Sequence, residues 1–363
     1  MIYLDNAATT PICDAAKRAI IKHINDFGNP SSSHELGRQS RVLIEDARER
    51  IAKCINAKPD EIYFTSGGSE ANTWSLMFKN HLSSVFEHHS IKPQFTFCVN
   101  ESGLVDVKDF KNNVFAWYDP CCPDVASCMF VNNEIGAIQS IKELAQIAHS
   151  GHMLFHTDAV QAVGHIPIDV KDLNCDMLSA SGHKFGAPKG VGFLYIRDGI
   201  KLDPLIYGGK QEFHRRGGTE NVLGIVAMAA ALEDAVEHME ERNKYVKHLR
   251  DTLLDRLLQI PGSHLNGSLE NRVASNINIR FDGVPGARLV TLCSLYGVYI
   301  SSGSACNEGV AEPSHVLKAI GLSDEDALNS VRITLSHNNT EKDIDTATDI
   351  ITALVRQIRS NNS

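Results

Sequence analysis

The chain has 363 residues, of which 43% are hydrophobic and 22% charged, so it is long enough to form one large domain and a smaller one. Its 35 basic and 44 acidic residues give a net charge of −9, which argues against direct nucleic-acid binding as its main activity. No run approaches the roughly 18 apolar residues of a membrane span, no signal peptide follows Met1, and the nine cysteines form no CxxC pair, so we expect a cytoplasmic protein with neither a disulfide framework nor a metal site.

The N-terminal part carries a possible anion site. A strand predicted over residues 61–65 runs into Ser66-Gly-Gly-Ser-Glu70, which opens a helix. Free backbone N–H groups and the positive end of the helix dipole meet at such a point, so Gly68 and Ser69 are candidates for binding a phosphate. A glycine turn alone is weak evidence. The elements predicted before it are a short strand and turn over residues 1–12 and helices over residues 14–27 and 38–54.

Strands and helices then alternate. A strand predicted over residues 83–91 contains Glu87-His88-His89, and another over residues 95–99 follows almost at once, which leaves no room for a helix between them. Beyond it, strands over residues 126–131 and 153–155 flank a helix over residues 141–150. This alternation predicts an α/β fold with a mostly parallel sheet, helices on both faces and ligands at the carboxyl ends of the strands.

A lysine lies at the end of one such strand. The apolar run that starts at Asp176 leads directly into Ser181-Gly182-His183-Lys184, where N–H groups and a hydroxyl surround a partly desolvated amine. Asp158 and Gln161 follow the neighbouring strand. An isolated lysine is usually a surface residue, but a lysine facing a carboxylate is the pair that pyridoxal phosphate needs, for the Schiff base and the pyridinium nitrogen respectively.

The C-terminal part predicts a smaller α+β unit. After a strand over residues 190–196 and a glycine-rich loop over 207–219, one long helix is predicted over residues 220–260, as a bridge between domains. Strands over 275–281, 298–300 and 331–335, a helix over 287–296 and a closing helix capped by Thr340 follow. We expect residues 13–245 to form the large domain, and residues 1–12 with 246–363 to form the small one.

Six motifs occur in a fixed order along nearly the whole chain: YLDNAATTP at 3–11, GNPSSSH at 28–34, TSGGSE at 65–70, VNNEIG at 131–136, SGHK at 181–184 and SSGSAC at 301–306. Together they resemble the cysteine desulfurases of the NifS/IscS type. Six motifs in order are far more specific than any one of them. The resemblance implies the fold type I of pyridoxal-phosphate enzymes, with a seven-stranded sheet and a smaller α+β domain.

The resemblance also implies roles for individual residues. The substrate would be L-cysteine, and Cys306 would take its sulfur as a persulfide and leave alanine. Lys184 would bind the cofactor and act as the base, His88 would stack on the cofactor ring and shuttle protons, and Arg332 would clamp the substrate carboxylate. The remaining cofactor contacts would come from Gly68, Ser69, Asn133, Asp158, Gln161, Ser181, Gly182, His183 and Thr219.

Partners follow from the same resemblance. The glycine-rich loop would cross the interface of a homodimer, so that Thr219 binds the phosphate of the neighbouring site. Sulfur would pass to an acceptor protein, either a scaffold for iron–sulfur cluster assembly or an enzyme of tRNA thiolation, and nothing in the sequence selects one. Two features depart from the family pattern: a helix is missing after His88, and Phe213 stands where an arginine is expected after Glu212.

Three functions remain open on the sequence. The first is a cysteine desulfurase, and the second is a related pyridoxal enzyme, either a selenocysteine lyase or a class V aminotransferase. The third is an inactive pyridoxal-binding scaffold that relays sulfur, an interpretation supported only by the shortened segment near His88. Cys306 favours the first function over an aminotransferase, which needs no nucleophilic thiol on a polar glycine loop.

Overall fold

The structure, a computed structural model, describes residues 1–78, 80–116, 125–302 and 312–362. The helices in these residues are α1 Asp14–His23, α2 Glu35–Cys54, α3 Gly68–Ser75, α4 Val107–Ala116, α5 Ile141–Ser150, α6 Val170–Leu173, α7 Val222–Glu237, α8 Met239–Leu257, α9 Gly286–Leu295, α10 His315–Ala319, α11 Asp324–Leu328 and α12 Glu341–Asn362. The strands are β1 Ile2–Tyr3, β2 Ile62–Thr65, β3 His81–Ser84, β4 Phe95–Phe97, β5 Val125–Ser127, β6 Leu154–Asp158, β7 Met177–Ser181, β8 Gly192–Ile196, β9 Ser263–Leu265, β10 Asn276–Phe281, β11 Val298–Tyr299, β12 Ser301–Ser302 and β13 Ser330–Thr334.

A seven-stranded sheet forms the centre, in the order β2-β8-β7-β6-β5-β3-β4. Neighbours from β7 to β4 pair in parallel, whereas β8 runs antiparallel between β2 and β7. Every residue of β7 and β8 is buried, as expected for strands covered on both faces by helices. The prediction of a mostly parallel seven-stranded α/β sheet is confirmed.

A second, four-stranded sheet has the order β12-β13-β10-β9 and is antiparallel throughout, while β1 pairs separately with β11. Two large hydrophobic cores accompany the two sheets. One includes Phe155 and Phe193 of the large sheet, and the other joins Leu4 to Ile279 of β10 and Ile351 of α12. No helix in the described ranges combines the length and the apolar character that a membrane span requires.

The single long helix predicted over residues 220–260 is wrong, because the structure has two helices that meet at His238. The His238 ring lies 2.9 Å from the Asp234 carbonyl oxygen, and Arg242 also donates to that oxygen at 3.2 Å. Helix α7 packs into the core of the large sheet, whereas α8 packs into the second core. The helix is interrupted at His238, whose φ of −103° and ψ of 10° are not helical, and this break lies where the chain passes from one core to the other.

The strand predicted over residues 83–91 stops at Ser84. The Ser84 hydroxyl binds the carboxyl group of Glu87, which also accepts a hydrogen bond of 2.8 Å from the Met129 backbone N–H. This buried anchor turns the chain, and a second turn at His88–Ile91 follows, in which the Ile91 N–H donates to the His88 carbonyl oxygen at 2.8 Å. No helix lies between β3 and β4 within this described stretch, as the sequence predicts.

A buried ion pair fixes the glycine-rich loop that precedes α7. The Arg48 guanidinium donates two hydrogen bonds, of 2.8 and 2.9 Å, to the Glu212 carboxylate, and both side chains are at most 2% exposed. The guanidinium lies 4.6 Å from the Phe64 ring and 5.0 Å from the Phe213 ring. Glu212, Phe213 and His214 have φ of 45°, 54° and 67°, a costly region for residues with a side chain. The pair therefore holds a strained segment in place.

Removing one partner of this pair should destabilise the protein strongly. We expect Glu212→Ala to lower the free energy of unfolding by about 3 kcal/mol, because the buried Arg48 would lose two hydrogen bonds and keep only the partly exposed Glu45 as a counter-charge. The exposed pair Lys58–Asp198, 3.3 Å apart, provides the control. Asp198→Ala should change the free energy of unfolding by at most about 0.5 kcal/mol. Urea unfolding of the two variants measures both values, and equal losses would contradict the role given to Glu212.

Candidate active site

The carboxyl ends of β6 and β7 border a cavity of about 180 Å³. Its walls come from both sheets and from the N-terminal segment. A larger cavity of about 440 Å³ shares Ala7, Asn133, Gln161 and Lys184 with it. The residues predicted from the sequence that line the smaller cavity are Gly68, Ser69, His88, Asn133, Asp158, Gln161, Ser181, His183, Lys184 and Arg332.

Lys184 ends a single turn of 3₁₀ helix that directly follows β7. Its Nζ donates hydrogen bonds of 2.7 and 2.8 Å to the carbonyl oxygens of Ala7 and Ala8. Desolvation, followed by the charge of Arg332, lowers the pKa of Lys184 to about 8. Gly182 starts this turn without lining the cavity, and a Cβ there would lie 2.9 Å from that of Ala187. The turn therefore presents an amine that is partly uncharged near neutral pH, as a nucleophile must be.

Asp158 ends β6 and is 2% exposed. Its carboxyl group accepts hydrogen bonds from the Asn72 side chain, at 2.7 Å, and from the Val160 backbone N–H, at 2.9 Å. Burial raises the pKa of Asp158. Sequence reasoning missed Asn72, although it lies four residues after Gly68 and so on the same face of α3. That spacing is the signal that could have identified it.

The start of α3 and the end of β7 form the anion-binding part of the cavity. A Cβ on Gly68 would lie only 2.6 Å from a methyl group of Val160, so this position requires glycine for close approach of the two elements. Ser181 is buried at the end of β7. The His183 ring lies 3.1 Å from the Thr9 hydroxyl, and desolvation lowers its pKa to about 4. A neutral imidazole, hydroxyls and a helix N-terminus together suit an anion.

Arg332 projects from β13 and is 8% exposed. One terminal nitrogen donates to the Asp5 carboxylate at 2.9 Å, and the other donates to the Asn133 carbonyl oxygen at 2.9 Å. Its Nε is buried and has no partner among the described residues. In the sheet register Ser301 of β12 lies opposite Arg332. Asp5 was not predicted as a site residue, although it belongs to the first of the six motifs.

Two histidines follow Glu87, and only the first lines the cavity. The ring of His89 packs instead 4.7 Å from that of His315, between ring centroids. His88 is exposed to the cavity, and partial desolvation lowers its pKa. His88 is therefore the ring that a cavity ligand meets. The Ser90 hydroxyl beside it, 2.7 Å from Nδ1, was not predicted.

The remaining predicted residues are placed as follows. Gln161 donates to the Ala7 carbonyl oxygen at 2.9 Å, at the edge of the cavity. Asn133 contributes its carbonyl group to Arg332. Thr219 is exposed and does not line the cavity of its own chain. Cys306 lies outside the described residues.

Comparison with known proteins shows similarity along the whole chain. The aminotransferase class-V family model matches residues 2–346. The cysteine desulfurase IscS of Methanosarcina thermophila is 43% identical over 380 aligned positions, covering 99% of this chain and 93% of that protein. A solved NifS-like protein from Rickettsia africae has a TM-score of 0.91 at 32% identity, covering 98% and 99% of the two chains. The structure of SspA in complex with cysteine has a TM-score of 0.78 at 33% identity, covering 94% and 100%.

The lowered pKa of Lys184 has a measurable consequence. The neutral amine is the reactive form, so we expect modification of Lys184 by an aldehyde and borohydride to reach half its maximal rate near pH 8. Exposed Lys58 is the control, because its hydrogen bond to Asp198 raises its pKa and so moves its reaction to higher pH. Mass spectrometry of both peptides, after dialysis against hydroxylamine to remove any bound carbonyl compound, gives the two profiles. Coinciding profiles would contradict the desolvation of Lys184.

Proposed function

We propose, from the premise that this chain belongs to the class-V aminotransferase family and to its cysteine desulfurases, that it converts L-cysteine to L-alanine and transfers the sulfur to an enzyme cysteine. The enzymes of this family use pyridoxal 5′-phosphate. The observation that carries the proposal is the meeting of the Lys184 amine and the buried Asp158 carboxyl group in one cavity.

The residues present fit pyridoxal phosphate. Lys184 supplies a partly neutral amine, Asp158 supplies a buried carboxyl group, and Gly68 and Ser69 place the start of α3 against the cavity. When bound, the cofactor accepts the electron pair released at the α-carbon of the substrate. Asp158 would keep the ring nitrogen protonated, and Asn133 and Gln161 would hold the ring hydroxyl. The phosphate would be bound by Gly68, Ser69, Ser181 and His183.

Arg332 would bind the substrate carboxylate. Its Nε is a buried donor that no described residue satisfies, which is costly in the free protein, and a carboxylate would satisfy it. Asp5 and the Asn133 carbonyl group already fix the plane of the guanidinium. Arg332 is therefore oriented before the substrate arrives, and this reduces the entropy lost on binding.

Two groups in the cavity would move protons. Lys184 would take the α-proton of the substrate at Nζ, since desolvation and Arg332 bring its pKa to about 8. His88, with a lowered pKa, is neutral near pH 7 and so able to accept a proton before it gives one back. The Cys306 thiolate would attack the substrate sulfur, so that an S–S bond forms, the C–S bond breaks and the carbon is protonated to give alanine.

Further features of the protein follow from this function. The persulfide sulfur would leave to an acceptor protein, an iron–sulfur scaffold or a tRNA-thiolation enzyme. Two separate hydrophobic cores support the division into a large domain, residues 13–245, and a small domain, residues 1–12 with 246–363. We place the reaction in the cytoplasm, where thiols stay reduced, and the cysteines in the described ranges are free.

The test of the proposed function is an assay of sulfide and alanine from L-cysteine in the presence of a reductant. Wild type should release both in equal amounts. Cys306→Ala should bind the cofactor and stall, because loss of the nucleophile raises the barrier by on the order of 4 kcal/mol or more. Cys98→Ala, which changes an exposed cysteine elsewhere, is the matched control and should keep the wild-type rate.

Mass spectrometry without reductant identifies the sulfur carrier. One extra sulfur should appear on the peptide that contains Cys306 after brief exposure to cysteine. A persulfide mainly on Cys121 or Cys122 would show that Cys306 is not the nucleophile. Bound cofactor with no turnover would favour the inactive scaffold, and a strong preference for selenocysteine would favour the lyase.

A homodimer with Thr219 reaching the partner's phosphate is the final part of the proposal. It is supported by the exposure of Thr219 and by the exposed rings of Tyr207 and Phe213 on the same loop. We expect a dimer in sedimentation and almost no activity from Lys184→Ala. Mixed dimers of Lys184→Ala and Thr219→Ala chains should regain one intact site, since that site takes Lys184 from one chain and Thr219 from the other. A fully active monomer, or mixed dimers without that recovery, would contradict the arrangement.

A further inference from the structure

A continuous chain of hydrogen bonds joins Asp158 to His88 through two side chains with no part in the proposed chemistry, Asn72 and Ser90. The Asn72 amide nitrogen lies 2.7 Å from Asp158 Oδ2 and 2.9 Å from the Ser90 hydroxyl oxygen. That oxygen lies 2.7 Å from His88 Nδ1. Asp158, which is expected at the cofactor nitrogen, is therefore linked by hydrogen bonds to His88, whose ring is expected to stack on the cofactor.

The direction of each hydrogen bond follows from one fixed donor. The Ser90 backbone N–H donates to His88 Nδ1 at 3.1 Å, and a backbone N–H cannot accept. Nδ1 is therefore unprotonated in the neutral ring, and the proton is on Nε2. The Ser90 hydroxyl also donates to Nδ1, which leaves its oxygen free to accept from Asn72. The other amide hydrogen of Asn72 is then directed to Asp158.

The orientation of the Asn72 amide is fixed by the same contacts. Turning it over would place Oδ1 against a carboxyl oxygen and against a hydroxyl already committed to His88. In the observed orientation Asn72 is 1% exposed, and its Oδ1 has no partner in the described part of the chain. A buried acceptor without a partner is unfavourable. The two donated hydrogen bonds therefore decide the orientation despite that cost.

The shortened segment after His88 supplies the serine. Where the family pattern leads us to expect a helix, the chain makes a tight turn in which the Ile91 N–H donates to the His88 carbonyl oxygen at 2.8 Å. This turn brings both the N–H and the hydroxyl of Ser90 to one side of the His88 ring. The turn that stands in place of the helix thus provides both donors to His88 Nδ1, the Ser90 hydroxyl and the Ser90 backbone N–H.

We propose that Ser90 and Asn72 are positioning residues that hold His88 with Nδ1 occupied and its ring fixed relative to Asp158, so that only Nε2 exchanges protons in the cavity. The proposal rests on the proposed function, which gives His88 its task. It extends that function by assigning the tautomer, which the Ser90 backbone N–H sets, and by naming the two side chains that hold the ring in place. Neither Ser90 nor Asn72 needs to touch the substrate.

The first measurement is the tautomer of His88 by NMR of the full-length holoenzyme carrying ¹⁵N-labelled histidine, with His88→Gln to assign the signals. Wild type should show His88 Nδ1 as the unprotonated nitrogen and Nε2 as the protonated one. Ser90→Ala and Asn72→Leu should each shift the His88 Nδ1 signal, because they remove or release the hydroxyl that donates to it, while Nε2 stays protonated because the Ser90 backbone N–H remains. Ser90→Thr, which keeps the hydroxyl, should restore the wild-type signals.

The second measurement is steady-state kinetics with L-cysteine. Ser90→Ala and Asn72→Leu should lower kcat about tenfold with KM nearly unchanged, a smaller loss than the 10²–10⁴-fold expected when an acid–base group is removed outright. The double variant should be no slower than the worse single variant, since both changes break one chain. Ser75→Ala is the matched control, because it removes a buried hydroxyl that donates to the Asn72 backbone carbonyl oxygen at 2.9 Å.

Several results would overturn the proposal: a protonated Nδ1 in the wild type, wild-type NMR signals and kcat in Ser90→Ala, or additive losses in the double variant. If Asn72→Leu fails to fold, Ser90→Ala alone decides, since it changes a single hydroxyl in a surface turn. Wild type without sulfide release would instead refute the desulfurase function. The tautomer of His88 is measured independently of turnover, so the two failures are distinguishable.

Discussion

The site depends on one contact, between the Lys184 amine and the carbonyl oxygens of Ala7 and Ala8. The same N-terminal segment is tied to β13, because the Asn6 side chain and the Ala7 N–H bind Thr334. The amine at the end of a strand of the large sheet is therefore held by a segment anchored on the small one. Any relative movement of the two sheets would change the position of Lys184, so the second sheet is part of the catalytic architecture.

Several charged groups in the cavity act on the pKa of Lys184. Desolvation and the cation of Arg332 favour the neutral form of Lys184, whereas Asp158 and Asp5 oppose this, and the net result is a lowered pKa. Asp5 is 2.9 Å from Arg332, so it partly neutralises the cation that acts on the lysine. The pairing of Arg332 with Asp5 thus serves two purposes: it orients the guanidinium and limits the depression of the Lys184 pKa. A site with the same lysine and an unpaired arginine would hold a weaker base.

The sequence predicted the sheet and most of the cavity because both depend on local patterns. Apolar strands that end in polar turns fix the positions of Asp158 and Lys184, and the carboxyl ends of parallel strands meet at one edge. It did not predict Asn72 as a site residue, because its role depends on a partner 86 residues away. The break at His238 was also not predicted, since the sequence around it contains neither proline nor glycine to end a helix. Phe213 was noted as a departure, but its contact with the buried Arg48 depends on a loop whose backbone no local rule predicts.

Some of the buried polar atoms that the fold leaves unsatisfied lie at the two cavities. Buried atoms without a partner in the described ranges include Asn72 Oδ1, Arg332 Nε and Asn6 Oδ1, and all three residues line the two adjoining cavities. Each such atom costs about 1–3 kcal/mol when left without a hydrogen bond. The strained loop at Glu212, by contrast, is compensated within the chain by two hydrogen bonds from Arg48 and one from the Phe64 N–H. The strain at Glu212 is thus offset by contacts within the chain, whereas Arg332 Nε would gain its partner from a bound carboxylate. A ligand that satisfies Arg332 Nε should therefore stabilise the folded chain as well as start the reaction.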